Sequence, residues 1–321
     1  MILKKIPFFL KFKHPFKLSS VARFGTDNLY VRLDNQGVRG WGEAVFPPYL
    51  AETISSAMND LIKVEWVVKD DETIFDLIAS NQEVLKDFPA TACAMEVCLL
   101  SWFANLHRKE LHDILALPKI NLPTSYTIGI CSNQEIKQRI EETPEATYFK
   151  LKVSETEFDR IIGTYKSVTN KPFVVDANQG FSSRDEALRC ARKLHDFGAA
   201  YFEQPFLKED IEAHAWLKNK TKIPIIADES FQRIGDIDSL LDAFDGINVK
   251  IMKTGGLIEA KEALIKAKEN GLITVLGCMS GSSVAINAAQ SLSSLATYVD
   301  LDGIFLISND PFNTDEHELW E

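Results

Sequence analysis

Cysteine is scarce and unpatterned in this chain: Cys93, Cys98, Cys131, Cys190 and Cys278 are odd in number and include no C-x-x-C pair. That excludes a disulfide framework or a cysteine zinc site and points to reduced thiols in a cytoplasmic protein. Long apolar runs are missing too; none approaches the roughly 18 residues of a spanning helix. Near the start, Ile6-Pro-Phe-Phe-Leu10 follows Lys4-Lys5, but Pro7 breaks it and Lys11 ends it. It is too short for a signal-peptide core. Positive charge is in deficit, with 35 Lys and Arg against 46 Asp and Glu, a net charge of -11. Neither nucleic acid nor an anionic membrane is therefore an expected partner. The histidines show no ligand spacing, and no G-x-G-x-x-G or P-loop accompanies Gly255-Gly256, which reads as a tight turn.

What is present is a repeat of short apolar segments, each ending in charge. They run Tyr148-Phe-Lys150-Leu-Lys152, Phe173-Val-Val-Asp176-Ala-Asn178, Tyr201-Phe-Glu203-Gln-Pro205, Ile225-Ile-Ala-Asp228-Glu229 and Ile247-Asn-Val-Lys250-Ile-Met-Lys253. Their spacing of roughly 25 residues, filled by amphipathic Lys/Glu-rich stretches, is that of a strand and its returning helix in a parallel α/β protein. Asn121 to Ile130 supplies a strand before them, with a helix over Asn133–Glu142. Leu272–Met279 and Tyr298–Asp302 supply two after them, separated by a helix near Ser283–Ala296. Eight strands and seven helices make an α/β fold, a TIM barrel modified to (β/α)7β, over residues 121–303. Residues 1–120 read as an α+β unit. There, Asp34-Asn-Gln-Gly37 turns a hairpin between Leu29–Leu33 and Val38–Gly42, and Pro89 opens a buried helix from Ala90 to Lys109. Residues 304–321 show no helical period and are expected to pack back on that first unit.

Strand ends of such a barrel converge on one mouth. Asp176, Glu203 and Asp228, one per successive strand, are hard oxygen ligands whose mutual repulsion calls for a cation, and magnesium suits the set. The plainer alternative is that each caps a helix or pairs with a lysine. Lys150 and Lys152 share one face by the strand period, where each should depress the other's pKa. A lysine tuned toward neutrality can take a proton from carbon. Lys250 shares the inward face with Asn248, so Lys253 is expected to point outward. Asp300 and Asp302 share a face and call for a cationic partner, for which a substrate ammonium is the candidate; capping the turn at Gly303 is the competing role. Thr127 and Cys278 stand at strand ends, to contact substrate or merely to fill space.

These residues resemble the enolase superfamily, in its muconate-lactonizing subgroup and, within that, the dipeptide epimerases. The resemblance spans essentially the whole chain. It is carried by Gly40-Trp-Gly-Glu43, Lys150-x-Lys152, Asp176-x-Asn178, Glu203-Gln-Pro205, Asp228-Glu-Ser230, the run from Asn248 to Gly256, and Asp300-x-Asp302. It implies that Asp176, Glu203 and Asp228 bind one Mg2+ per subunit and that Lys152 and Lys250 work on opposite faces of a substrate α-carbon. Lys150 would assist the carboxylate, Thr127 and Cys278 would contact substrate, and Asp300 and Asp302 would hold the ammonium of a dipeptide. Cys278 stands where the family often has serine. Asn178 and Glu229 would orient the metal ligands. The loop over Ser19–Asp27 would reach across the mouth, where Arg23 either pairs with a substrate γ-carboxylate or lies on the surface. Relatives of this kind are commonly homo-oligomers.

The implied activity is inversion of the C-terminal residue's α-carbon by two-base proton transfer through an enediolate. The alternatives are o-succinylbenzoate synthesis or cycloisomerisation on the same fold, or a non-catalytic binding protein. Asp300→Asn and Asp302→Asn distinguish the first two: both should cripple a dipeptide epimerase in a turnover assay, whereas a substrate without an ammonium would still be turned over.

Overall fold

The protein is described from a computed structural model over residues 1–17, 22–47, 50–69 and 72–313. Strands β1 (Ile2–Lys17), β2 (Ala22–Asn35) and β3 (Val38–Phe46) form an antiparallel sheet in that order. Asn35 faces Val38 across a two-residue turn whose Gln36 and Gly37 have φ of 53° and 73°. Two successive positive φ values give a type I′ turn, whose twist matches that of the flanking strands. The expected loop over Ser19–Asp27 is mostly strand. Ala22 and Arg23 already pair with Lys17 and Phe16 of β1, while residues 19–21 lie outside the described residues.

Helices α1 (Ile54–Asp60), α2 (Ile74–Val84), α3 (Pro89–Leu106) and α4 (Leu111–Ile114) follow. Proline opens α3 where its missing N–H costs nothing, and every residue from Ala90 to Leu100 is buried. The helix stops short of the expected Lys109 because Arg108 takes a φ of 55°. Strand β3 lies backbone to backbone on α3. A Cβ at Gly42 would stand 1.9 Å from the Ala94 carbonyl oxygen, and one at Gly40 2.3 Å from that of Cys98.

The second sheet is all parallel. It comprises β4 (Ser125–Ile128), α5 (Asn133–Glu142), β5 (Tyr148–Lys152), α6 (Phe158–Val168), β6 (Phe173–Asp176), α7 (Arg184–Asp196), β7 (Phe202–Glu203) and α8 (Ile211–Lys218). It continues with β8 (Ile225–Ala227), α9 (Ile237–Leu240), β9 (Gly246–Lys250), α10 (Ile251–Thr254), α11 (Leu257–Glu269), β10 (Ile273–Gly277), α12 (Ser283–Gln290) and β11 (Tyr298–Asp300). Each strand pairs with the next in the chain, and a parallel bridge from Thr124 to Val299 brings the last strand beside the first. This is the (β/α)7β barrel. Inside it, Val174, Tyr201, Ile226 and Val275 form a small core of their own, flanked by Tyr148 and Tyr298. That apolar plug leaves only the carboxyl ends of the strands open for polar chemistry.

Two buried carboxylates tie the N-terminal helices and sheet to the barrel. Glu43 of β3 accepts from the Ser282 N–H at 3.0 Å and the Ala285 N–H at 3.2 Å, capping α12. Glu96 of α3 accepts from the Ile258 N–H at 2.9 Å and from Gln82 at 2.7 Å, capping α11. Unpaired N–H groups at a helix start favour an anion there. After the single turn α13 (Gly303–Leu306), which the sequence did not suggest, the chain runs along β1. Ser308 donates to the Lys11 carbonyl at 2.8 Å, and Phe312 packs edge-on against Tyr30 and Trp41. Residues 314–321 lie outside the described residues. Among the described residues no helix is long and apolar enough to cross a membrane. Gly42→Ala should destabilise the protein by about 1–3 kcal/mol, the usual cost of overpacking, read as a lower midpoint in urea or heat.

Candidate active site

The three acidic residues come together because β6, β7 and β8 are neighbours in register. Asp176 pairs with Glu203 across β6 and β7, and Asp228 follows β8 directly. One carboxylate oxygen from each lies within 4.8 Å of the others, and all three residues are buried. Lysines arrive from the strands on either side, β5 and β9. Lys152 Nζ is 2.5 Å from Asp176 Oδ2, and Lys250 Nζ is 2.7 Å from Asp228 Oδ2. Lys150 sits deeper, 3.0 Å from Asp176, 2.9 Å from Glu203 and 2.8 Å from Asp300.

Charge is balanced unevenly within the cluster. Burial pushes the Asp176 carboxyl up, but Lys150 and Lys152 bring it down to about 2. Glu203, buried and beside Asp176, is pushed up to about 8. A carboxylate set with one member this reluctant to ionise is deficient in positive charge, which is the condition a divalent cation relieves. The three residues therefore fit a hard metal ion.

Two expectations about the lysines are corrected. Lys150 is not depressed by its neighbour. Burial does pull its pKa down, but the carboxylates of Asp176, Asp300 and Glu203 outweigh that and hold it well above the usual lysine value. Nor does Lys253 point outward. Strand β9 ends at Lys250 and the chain turns helically through α10, so a step of about 100° per residue replaces the strand's 180° and brings Lys253 back inward. Its Nζ donates to the Asp228 carbonyl at 2.7 Å, to Asp228 Oδ1 at 2.9 Å and to the Asn248 carbonyl at 2.8 Å. It is a buried strut for Asp228.

A cavity of about 380 Å³ opens over the cluster. It is lined by Lys150, Lys152, Lys250, Asp228, Thr127, Cys278, Asp300, Asp302, Arg23, Asn178 and Glu229, with Asp176 and Glu203 fully buried. The sequence-derived set is thus brought to one place. A larger groove of about 540 Å³ between α3, α4 and α12 holds none of these groups, so the chemistry singles out the smaller cavity. Asn178 donates to Glu229 at 3.1 Å, joining the loops that follow Asp176 and Asp228. Arg23 lies with its guanidinium 5.6 Å from the Phe12 ring centre. Burial and the nearby Asp302 and Asp300 push the Cys278 thiol up, so it is not a thiolate.

Sequence reasoning missed a network behind the acidic trio. Gln204, held at a φ of 39°, accepts from the Asp228 N–H at 2.9 Å and the Ser230 N–H at 3.0 Å. Its amide nitrogen faces Ser230 Oγ at 2.8 Å and His214 Nε2 at 3.2 Å. His214 Nδ1 lies 2.8 Å from the Asp210 carbonyl, which only accepts, so Nδ1 carries the proton and Nε2 receives. The Glu203-Gln-Pro205 motif pointed toward Gln204, but nothing in the sequence marked His214. Burial lowers the His214 pKa to about 4, so it stays neutral.

His214→Leu would leave the Phe206 N–H without its acceptor and remove one partner of the Gln204 amide. It should weaken magnesium binding roughly 10- to 100-fold in calorimetry, the range for groups that orient ligands, while His214→Gln largely restores it. With its folded pKa below the unfolded value of 6.5, His214 makes the unfolded state bind more protons between pH 6.5 and about 4. Stability should fall as pH drops through that window, and this component should vanish in His214→Gln.

Comparison with known proteins agrees with the geometry. Residues 133–317 match the family model described as Enolase C-terminal domain-like. The L-Ala-D/L-Glu epimerase of Bacteroides thetaiotaomicron is 37% identical over 310 residues, covering 95% of this chain and 81% of that protein. The L-Ala-D/L-amino acid epimerase of Flavobacterium johnsoniae is 33% identical, covering 94% and 90%. The structure of the dipeptide epimerase from Methylococcus capsulatus, complexed with Mg and the dipeptide L-Arg-D-Lys, superposes with a TM-score of 0.85 at 26% identity, over 96% of this chain and 92% of that one.

Proposed function

The chain belongs to the Enolase C-terminal domain-like family, and from that premise we propose that it is a magnesium-dependent dipeptide epimerase inverting the α-carbon of the C-terminal residue. The observation that carries this is the placement of Lys152 and Lys250 on the two strands flanking the acidic trio, each beside an outer member of it. Inversion at carbon needs a base on either side. In this reading one lysine removes the α-proton and the other delivers a proton to the opposite face, the roles exchanging with the substrate's configuration. Asp176, Glu203 and Asp228 would hold the ion. Magnesium bound there supplies Lewis-acid stabilisation of the charge that develops on the substrate carboxylate, and a Lys base with magnesium is the established pattern of the superfamily. Lys150, held charged by its carboxylate partners, adds a fixed cation near that charge.

Arg23 on the cavity wall favours an acidic side chain, as in Ala-Glu. The same reading assigns residues 1–120 to a capping unit, 121–303 to the catalytic barrel and 304–321 to a tail returning to the cap. It also holds that the protein is a cytoplasmic homo-oligomer. The free state of all five cysteines supports the cytoplasmic reading, and the contact of Ser308 with Lys11 of β1 supports the returning tail.

Incubation with L-Ala-L-Glu and a dipeptide library in D2O with magnesium should place deuterium at the C-terminal residue's α-carbon, detected by NMR. EDTA should stop exchange and magnesium restore it. Lys152→Ala and Lys250→Ala should each cut epimerisation by roughly 10²- to 10⁴-fold, the range for loss of a general acid–base group. Each should still exchange the stereoisomer whose proton faces the remaining lysine. Absence of exchange with every dipeptide would sink the proposal.

A further inference from the structure

Gly255-Gly256, a tight turn by sequence, is where the N-terminal helices touch the element that carries Lys250. Helix α10 is a single turn set directly on Lys250, its N-cap residue, and it closes at Gly255 with a left-handed φ of 85°. Gln82 of α2 points its side-chain amide at this corner. It donates to the Gly255 carbonyl at 2.8 Å and to Glu96 Oε2 at 2.7 Å. Glu96 Oε1, buried on α3, accepts in turn from the Ile258 N–H at 2.9 Å. A side chain at position 256 would collide with that carboxylate, since a Cβ there would stand 2.3 Å from Glu96 Cδ. The glycine pair therefore makes room for Glu96 and presents its carbonyl to Gln82.

We propose that the N-terminal helices position one of the two lysines and not the other: Gln82, held by Glu96, is a positioning residue for Lys250 and acts through α10. Two successive glycines are the most permissive joint a chain can have. With the Gly255 carbonyl fixed, the turn cannot swing about that joint, and Lys250 at its other end stays in place. The turn is stiff enough to carry the constraint. Lys253 bonds back to the Asn248 carbonyl at 2.8 Å, and Thr254 Oγ1 reaches the Gly256 carbonyl at 3.1 Å. Lys152 is fixed differently. The residues that follow it are held from within the barrel, the Val153 N–H by the Asp176 carbonyl at 3.0 Å and the Glu155 N–H by the Gly180 carbonyl at 3.1 Å.

This assignment rests on the epimerase reading and deepens it. Lys152→Ala leaves Lys250 alone to exchange an α-proton, and Lys250→Ala leaves Lys152 alone. Gln82→Leu is added to each, and α-proton exchange of L-Ala-L-Glu and L-Ala-D-Glu in D2O is followed by NMR with magnesium present. Gln82→Leu should lower kcat for exchange by Lys250 roughly 10- to 100-fold with little change in KM, while exchange by Lys152 stays within about twofold, the scale for a reacting group displaced by about 1 Å. Gln82→Lys, whose ammonium also donates to both acceptors, should recover exchange by Lys250. Glu96→Gln carries the same expectation as Gln82→Leu and keeps the test open if that variant does not fold. A merely structural role would slow both lysines alike. Equal losses at the two lysines, or no loss at Lys250, would overturn the assignment even though exchange by the wild type stands. If the wild type exchanges no dipeptide, the epimerase reading falls and takes this assignment with it.

Discussion

The structure turns on an electrostatic constraint: three carboxylates on adjacent parallel strands, buried at one end of a barrel, with amines from the flanking strands as their counter-charge. Each group is costly to bury alone, and together they are tolerable because every amine touches a carboxylate. The balance stays short of neutral at Glu203, whose carboxyl is pushed up to about 8 by burial and by Asp176. That local deficit of positive charge suits the mouth to a metal ion.

Everything around the cluster limits its freedom. Below it, the plug around Tyr201, Val174, Ile226 and Val275 closes the barrel interior. Behind it, neutral His214 orients Gln204, and Gln204 holds the backbone at Asp228 and Ser230. Left-handed φ values at Asn178, Gln179 and Gln204, just past Asp176 and Glu203, are conformations that non-glycine residues adopt only where surrounding contacts enforce them. The N-terminal helices and sheet are joined to the same framework from the other side. Glu43 and Glu96 reach into the starts of α12 and α11, the helices that follow β10 and β9. The elements carrying Cys278 and Lys250 are therefore braced by residues more than a hundred positions earlier in the chain.

Much of this was legible from residues alone because parallel strands are uniform. When each strand is paired in register with the next, a carboxylate at a strand's end must lie near the carboxylate at its neighbour's end. Hence Asp176, Glu203, Asp228, Lys150, Lys152 and Lys250 could be placed at one mouth from spacing and period two. The same regularity misled at Lys253, since a strand period was carried past Lys250 into a helical turn. It also misled on the character of Lys150, because sequence shows the adjacent lysine and not the three carboxylates that other strands bring to it.

By itself the sequence determined the order of elements, the hairpin at Gln36-Gly37, the start of α3 at Pro89 and which charged residues end which strands. These follow from local backbone preference and hydrophobic period, which need no distant partner. Tertiary structure alone decided that Ser125 meets Asp300, that His214 stands behind Gln204, that Lys253 turns inward and that Glu96 caps a helix 162 residues away. Such pairings depend on barrel closure and on how the first unit docks. The charge on a buried group depends on neighbours from every strand around it, which no single stretch of chain contains.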